Sequence, residues 1–323
     1  MFRIMQDSDL SGRGMSKRHV NGSIVEHIPV LAETLTERIK LPSTGIMVDA
    51  TVGQGGHSLV FGRKLGPEGI IIGFDVDNGA IQTSRIKLKE LACKIVLLNA
   101  NFSQISGQIR QQGIEKVDFI LADLGVCSAQ LADAGFGLSF QTNMPLDMRI
   151  DKRIKRTAAD IINKTDEKSL ADLIYEFGQD RASRRIARFI AQQRQREPIN
   201  TTGQLAEVVC RALGRKGPGR KSRIHPATRT FQALRIAVND ELENLKKLLS
   251  SAPELLNENG YVAIISYHSL EDRLVKNDFK QNEKVSIYKI VTKKPIVPDR
   301  EEVAENRRAR SAKLRIAQRQ SVE

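Results

Sequence analysis

The chain has 323 residues, 40% hydrophobic and 28% charged, with a formal net charge of +13, and is long enough for one large or two ordinary buried cores. No run approaches the roughly 18 apolar residues of a bilayer span, and the N-terminus has scattered Asp and Arg where an export signal is apolar, so a cytoplasmic protein without membrane contact is expected. The cysteines Cys93, Cys127 and Cys210 are odd in number and widely spaced, which argues against a disulfide framework or a paired-cysteine metal site.

Residues 1–26 read as a disordered extension. An amphipathic helix over 30–39 leads to the apolar strand I-M-V-D-A-T (46–51), a glycine-rich turn and a helix from about His57. The strand G-I-I-I-G-F ends at Asp75, followed by a helix over 79–92 and strands at 94–98 and 117–123. Short apolar runs separated by helices predict a parallel, doubly wound sheet. After Asp123 the alternation stops until Y-V-A-I-I-S (261–266). Between them, Thr157 with Asp160 and Thr201 with Gln204 resemble capping boxes, and Gly178 is placed to close a helix containing 170–177. These signals predict an inserted helical subdomain, 134–224, within a sheet domain made of 27–133 and 225–323. The stretch G-R-K-G-P-G-R-K-S-R (214–223) has a mobile connector's composition, and one long helix over 231–249 precedes the fifth strand. Residues 286–291 and 313–317 are suited to a closing antiparallel pair.

The positive charge is concentrated. Residues 181–223 hold twelve Arg or Lys against two acids, Glu197 and Glu207. Such a cluster suits a phosphate backbone, where counterion release drives binding and Arg gives bidentate contacts. Arg184, Arg185, Arg188, Lys221 and Arg223 are the candidate RNA-binding residues; the alternative is a solvated helix face with a mobile loop.

Chemistry is expected at the strand ends. The turn V-D-A-T-V-G-Q-G-G-H places Gly53, Gly55 and Gly56 between the first strand and its helix, where ligands of open parallel sheets bind. Asp75 stands 20 residues beyond Gly55, where a carboxylate can accept both ribose hydroxyls of an adenosyl ligand. A nicotinamide dinucleotide is disfavoured because Ser58 occupies the third glycine position of its fingerprint. His57 lacks a second His or Cys at ligand spacing, so it is read as facing a cofactor or capping the helix, and no metal is expected. The fourth strand runs into D-L-G-V-C-S-A-Q-L (123–131), which takes the residue reading as far as a methyltransferase acting on nucleic acid.

The blocks H-I-P-V-L (27–31), G-Q-G-G-H-S (53–58), D-L-G-V-C-S-A-Q-L, P-L-D-M-R (145–149), H-P-A-T-R-T-F-Q-A-L-R-I (225–236), I-S-Y-H-S-L-E-D-R (265–273) and E-V-A-E-N-R-R-A-R-S-A-K-L-R (302–315) span nearly the whole chain. In kind and order they resemble the bacterial small-subunit ribosomal RNA (cytosine-N4)-methyltransferase family. The resemblance implies a class I methyltransferase fold, S-adenosylmethionine as cofactor, and methylation of a cytidine N4 in the decoding region of 16S RNA. It further implies small-subunit RNA as partner, within the assembled or nearly assembled 30S subunit; a homodimer is compatible with it. Carried over by position, Gly55, Gly56 and His57 would hold the methionine end of the cofactor, Asp75 the ribose, and Phe102 the adenine side, with Asp123 and Gln130 completing the set. Cys127 and Ala129 stand where the family usually has Ser and Pro, F-G-L-S-F (136–140) replaces R-G-F-S-F, and Met144 replaces a usual Gly.

Methyl transfer to an exocyclic amine is an in-line displacement that needs alignment and hydrogen-bond acceptors for the amino protons, with no covalent intermediate. Asp123 and its loop carbonyls are the first candidate acceptors; the loop Tyr267, His268, Ser269 is the second, with capping of the following helix by Ser269 and Glu271 as its structural alternative. A cytosine-C5 methyltransferase would need a thiolate, for which Cys127 is the only nearby residue. The rival outside enzymology is an RNA-binding assembly factor, which the intact glycine turn and Asp75 argue against.

Overall fold

The computed structural model describes residues 29–126, 130, 131, 133, 135–214 and 225–321. The expected N-terminal extension, Cys127, Ala129, Lys221 and Arg223 lie outside the described residues.

The first half alternates α1 (Ala32–Arg38), β1 (Ile46–Asp49), α2 (Gly56–Gly62), β2 (Ile70–Phe74), α3 (Asn78–Leu88), β3 (Lys94–Leu98), α4 (Ile105–Gln111) and β4 (Val117–Asp123). The chain continues with α5 (Ala158–Lys164), α6 (Glu167–Gly178), α7 (Ser183–Arg196) and α8 (Thr202–Ala212). The chain closes with α9 (Thr228–Asn239), α10 (Glu241–Leu255), β5 (Leu256–Ser266), α11 (Ser269–Lys284), β6 (Tyr288–Ile290), α12 (Arg300–Glu305) and β7 (Lys313–Arg319). The seven strands lie in the order β3-β2-β1-β4-β5-β7-β6. The first five are parallel, and β7 runs antiparallel to both β5 and β6. This is the class I methyltransferase architecture, a doubly wound sheet with its closing antiparallel pair. The order in which strands are added reverses between β1 and β4, the switch point where such sheets bind ligands.

Alternate residues explain why the strands are apolar throughout. Val48, Ile72, Ile120 and Ile264 face one core, shared with Ile109 of α4, Leu248 of α10 and Phe279 of α11. Met47, Ile71, Phe119 and Ile265 face the other, shared with Leu35 of α1 and Phe61 of α2. With both faces covered, neither can be polar.

A third core belongs to the insert. Ile161, Ile174, Ile186 and Leu205 pack with Phe231, Leu234 and Val238 of α9. The boundary expected at 224/225 therefore falls inside this packed unit: α9 belongs to the insert, and the sheet core resumes with Leu245 of α10. Both expected capping boxes are present, at Thr157–Asp160 and Thr201–Gln204.

Three sequence expectations change. The single helix over 231–249 is two helices, because Asp240 takes a left-handed φ of 49° between α9 and α10, a conformation Asp tolerates better than most side chains. Arg235 stabilises the break with a two-pronged ion pair to Glu241, at 2.8 and 2.9 Å. Gly178 does not supply the left-handed helix end; Gln179 does, at φ 49°. Gly178 is instead required by close packing, since a Cβ there would lie 2.6 Å from the Arg229 carbonyl oxygen. Finally, β5 begins at Leu256, with an irregular start where Asn259 is left-handed and Asn257 Nδ2 donates to Asp118.

Candidate active site

The carboxyl ends of β1, β2 and β4 open into a cleft of ≈ 580 Å³, within the size range of small-molecule sites. After β1 the chain turns at Gly53 (φ 52°) and Gly55 (φ 76°), conformations that favour glycine. Gly53 N–H donates to Asp75 Oδ2 at 2.9 Å, and Asp77 N–H donates to Asp75 Oδ1 at 2.8 Å. Each oxygen of Asp75 thus accepts one main-chain bond and keeps a second acceptor direction. Burial nevertheless pushes the Asp75 carboxyl up to about 6, against those two bonds. Asp77 caps α3 through Gly79 N–H and accepts a bond from Gln130 Nε2 at 3.2 Å.

Beneath the turn, Asp49 is fully buried and accepts the Ser58 hydroxyl at 2.7 Å, and burial raises its pKa. This pair fixes the start of α2, where Gly56 and His57 border the cleft. His57 is 5% exposed, and among the described residues neither ring nitrogen has a hydrogen-bond partner. A buried imidazole left unpaired at a cleft wall is costly unless a polar ligand completes it.

Asp123 ends β4. Its N–H donates to Thr51 Oγ1 at 2.7 Å, its Oδ1 accepts the Tyr267 hydroxyl at 2.7 Å, and its Oδ2 stands 3.5 Å from His57 Nε2. Burial, then the neighbouring Asp123 charge, push the Tyr267 phenol well above its usual range, so it remains a donor. The two loops that were alternative candidates for the acceptor are therefore one hydrogen-bonded unit. Behind it, Glu271 accepts Tyr267 N–H at 2.8 Å and His268 N–H at 3.2 Å. Burial raises its carboxyl, but bonding to His268 and the His268 and Arg235 charges outweigh this and hold it low. The capping alternative is present with a different cap residue: His268, not Ser269, forms the capping box with Glu271 on α11, and the Ser269 hydroxyl donates to Gln179 Oε1 at 2.6 Å. Glu241, His268 and Glu271 bring their ligand atoms within 4.8 Å of one another. Their carboxylates are already engaged by Arg235 and by these main-chain donors.

Of the expected cofactor residues, Gly56, His57, Asp75, Phe102, Asp123 and Gln130 border the cleft. Gly55 does not; a Cβ there would meet Ser84 Oγ at 3.3 Å and Leu88 at 3.4 Å, so it sets the turn against α3. Sequence reading assigned no role to Ile150, Asp151 and Ile154, which bring the insert to the cleft wall; the basic tail from Arg307 to Arg319, which it offers as the second candidate RNA surface, places Arg307, Arg308 and Arg310 at the cleft border. Arg153 Nη1 ties the insert to the sheet domain by donating to the Asn99 carbonyl at 3.1 Å. The sequence signal for Ile150, Asp151 and Ile154 is that they lie beside the P-L-D-M-R block; for the arginines it is the basic charge of the tail.

On α7, Ile186, Ala187 and Ile190 are buried, while Arg184, Arg185 and Arg188 are exposed on the opposite face. Two other members of the basic cluster have structural work: Arg194 donates to the Ile162 carbonyl at 2.6 Å and Arg211 to Gln193 at 2.8 Å. Among the described residues no helix is long and apolar enough to cross a membrane.

A sequence model of the MraW methylase family matches residues 24–320. The chain is 41% identical over 312 residues to "Ribosomal RNA small subunit methyltransferase H" of Clostridioides difficile, covering 91% of this chain and 98% of that protein. Proteins of the same name from Acidobacterium capsulatum (45% over 301 residues; 91% and 98% covered) and Acaryochloris marina (47% over 294; 91% and 94%) are similarly related.

Proposed function

The chain belongs to the MraW methylase family, a methyltransferase that uses S-adenosylmethionine, and we propose that it methylates the exocyclic N4 of one cytidine in the decoding region of small-subunit ribosomal RNA. The observation that carries this reading is the meeting of Asp75, His57 and the Asp123–Tyr267 pair in one cleft at the switch point. Support for the substrate comes from the names of the related proteins and from the signature blocks.

The site fits the cofactor. Asp75 keeps acceptor directions for two ribose hydroxyls, Phe102 offers an aromatic wall, and the His57 ring, without a hydrogen bond among the described residues, lies beside Gly56, where a polar methionine end would complete it. When bound, S-adenosylmethionine supplies a methyl group activated by its sulfonium. The remaining task falls to the protein. Cytosine withdraws the N4 lone pair into its ring, so an acceptor on an amino proton is needed to restore nucleophilicity at nitrogen. Asp123 provides it: Tyr267 occupies Oδ1, and Oδ2, with His57 Nε2 3.5 Å away, keeps a direction in which to accept from the amine. The Tyr267 and Thr51 bonds hold that carboxylate still, as pre-organisation requires.

The exposed arginines of α7, with Lys221 and Arg223, are proposed to hold RNA phosphates, and the substrate is the assembled or nearly assembled 30S subunit. The test is transfer from methyl-labelled cofactor by the purified chain to 30S subunits, and separately to naked 16S RNA, from cells lacking the gene. Label on N4 of one decoding-region cytidine, with subunits preferred, is expected. Label on cytosine C5, or on another base, overturns the reading.

A further inference from the structure

The segment between α12 and β7 carries three arginines in four residues, Arg307, Arg308 and Arg310, all exposed and all bordering the cleft that holds Asp75 and Asp123. Their guanidinium groups have no hydrogen-bond or ion-pair partner among the described residues, whereas Arg149, Arg153, Arg235 and Arg315 are each paired with a carboxylate. The backbone beneath them is fixed. Ala309 and Ala312 are buried, Glu302 accepts Leu31 N–H at 2.7 Å, and Leu314 bridges Ile296 before β7 enters the sheet. A rigid segment that holds three uncompensated cations at a cleft mouth is built for an anion larger than one carboxylate.

We infer that Arg307, Arg308 and Arg310 form a phosphate clamp that grips the RNA backbone on either side of the target nucleotide; this rests on the RNA-methylating reading above. A base that enters an enclosed pocket leaves its two flanking phosphates at the entrance, where pairing them offsets the cost of unstacking. The clamp differs in role from the α7 arginines. It borders the chemistry, so it governs how often a bound RNA is correctly seated; the α7 face, which does not border the cleft, governs how tightly the RNA is held overall.

The test replaces Arg307, Arg308 and Arg310 together with Ala in the full chain, with the triple Lys variant beside it. Three readouts are taken: calorimetric binding of S-adenosylmethionine, salt-dependent binding of unmethylated 30S subunits, and single-turnover methylation at saturating subunit. Expected are unchanged cofactor affinity, roughly tenfold or greater loss of subunit affinity with a salt slope shallower by about 2, and slower single turnover, with Lys restoring most of the affinity. If the Ala variant binds and methylates subunits like wild type, the clamp is wrong and the RNA reading stands. If cofactor affinity falls instead, the arginines hold the cofactor's carboxylate and the inference fails. If wild-type protein neither binds nor methylates subunits, the RNA reading fails and the clamp with it.

Discussion

The cleft floor and the outer face of α7 treat charge in opposite ways. At the ends of β1, β2 and β4 the carboxylates Asp49, Asp75 and Asp123 each accept hydrogen bonds from fixed donors, and two of them are raised in pKa by burial. On α7 the exposed arginines stand over an apolar face that packs the insert, and their charges lie in solvent; Arg185 alone of the three leans over an aromatic ring, Phe189, at 5.9 Å. Fixed dipoles in a closed site suit a small ligand whose geometry decides the reaction. Mobile cations in water suit a polyanion whose contacts add up without specifying a base. Substitutions in the two regions should therefore fail differently.

The sharpest contrast comes from Asp123→Asn, which keeps the shape and removes the anionic acceptor. Turnover at saturating cofactor should fall by about two orders of magnitude or more, with the fold unchanged by circular dichroism; near-normal turnover would move the acceptor elsewhere. Asp75→Ala should weaken cofactor binding by roughly 1–3 kcal/mol, read by calorimetry. Because ribose hydroxyls favour the ionised carboxylate, wild-type affinity should rise as pH increases through about 6 and then level, while the variant stays flat. In the unliganded protein the sign reverses. A carboxyl raised on folding contributes stability that is complete below its unfolded pKa and is lost as pH climbs through about 6.

On the insert side, Gly178→Ala forces a Cβ to 2.6 Å from the Arg229 carbonyl oxygen. It should cost about 1–3 kcal/mol in chemical denaturation without touching cofactor affinity. Replacing Arg184, Arg185 and Arg188 with Ala should change stability by no more than about 0.5 kcal/mol. Subunit binding should weaken and its salt slope flatten, while the methylated nucleotide stays the same. Unchanged affinity and slope would make this face merely solvated. The smallest effect is expected of Cys127→Ser, which restores the residue usual in the family; a loss beyond about a hundredfold in a folded protein would instead point to thiolate attack on C5.

Much of this contrast was legible in the sequence. The strands stood out because both sheet faces are covered, and the capping boxes because their partners are three residues apart. Asp75 and the glycine turn followed from strand-end chemistry. What could not be read depends on contacts between distant residues. Tyr267 meets Asp123 across 144 positions, and Glu302 meets Leu31 across 271. The break at Asp240 escaped because its φ of 49° is reached without glycine, in a helical pattern that continues on both sides. Spacing identifies the turn at Gly55 but does not show that a Cβ there would meet Ser84 and Leu88 of α3. The insert's hold on α9 was hidden because Phe231, Leu234 and Val238 have the same period whichever core they enter.

The most direct test of the whole reading is nucleoside mass spectrometry of 16S RNA from cells with and without the gene, and from cells carrying only the Asp123→Asn chain. The methyl group on N4 of a single decoding-region cytidine should disappear on deletion, return with the wild-type gene and stay largely absent with the variant. If N4 methylation is unchanged on deletion, or if the lost methyl lies on carbon five or on another base, the assignment of this cleft to cytidine N4 is contradicted.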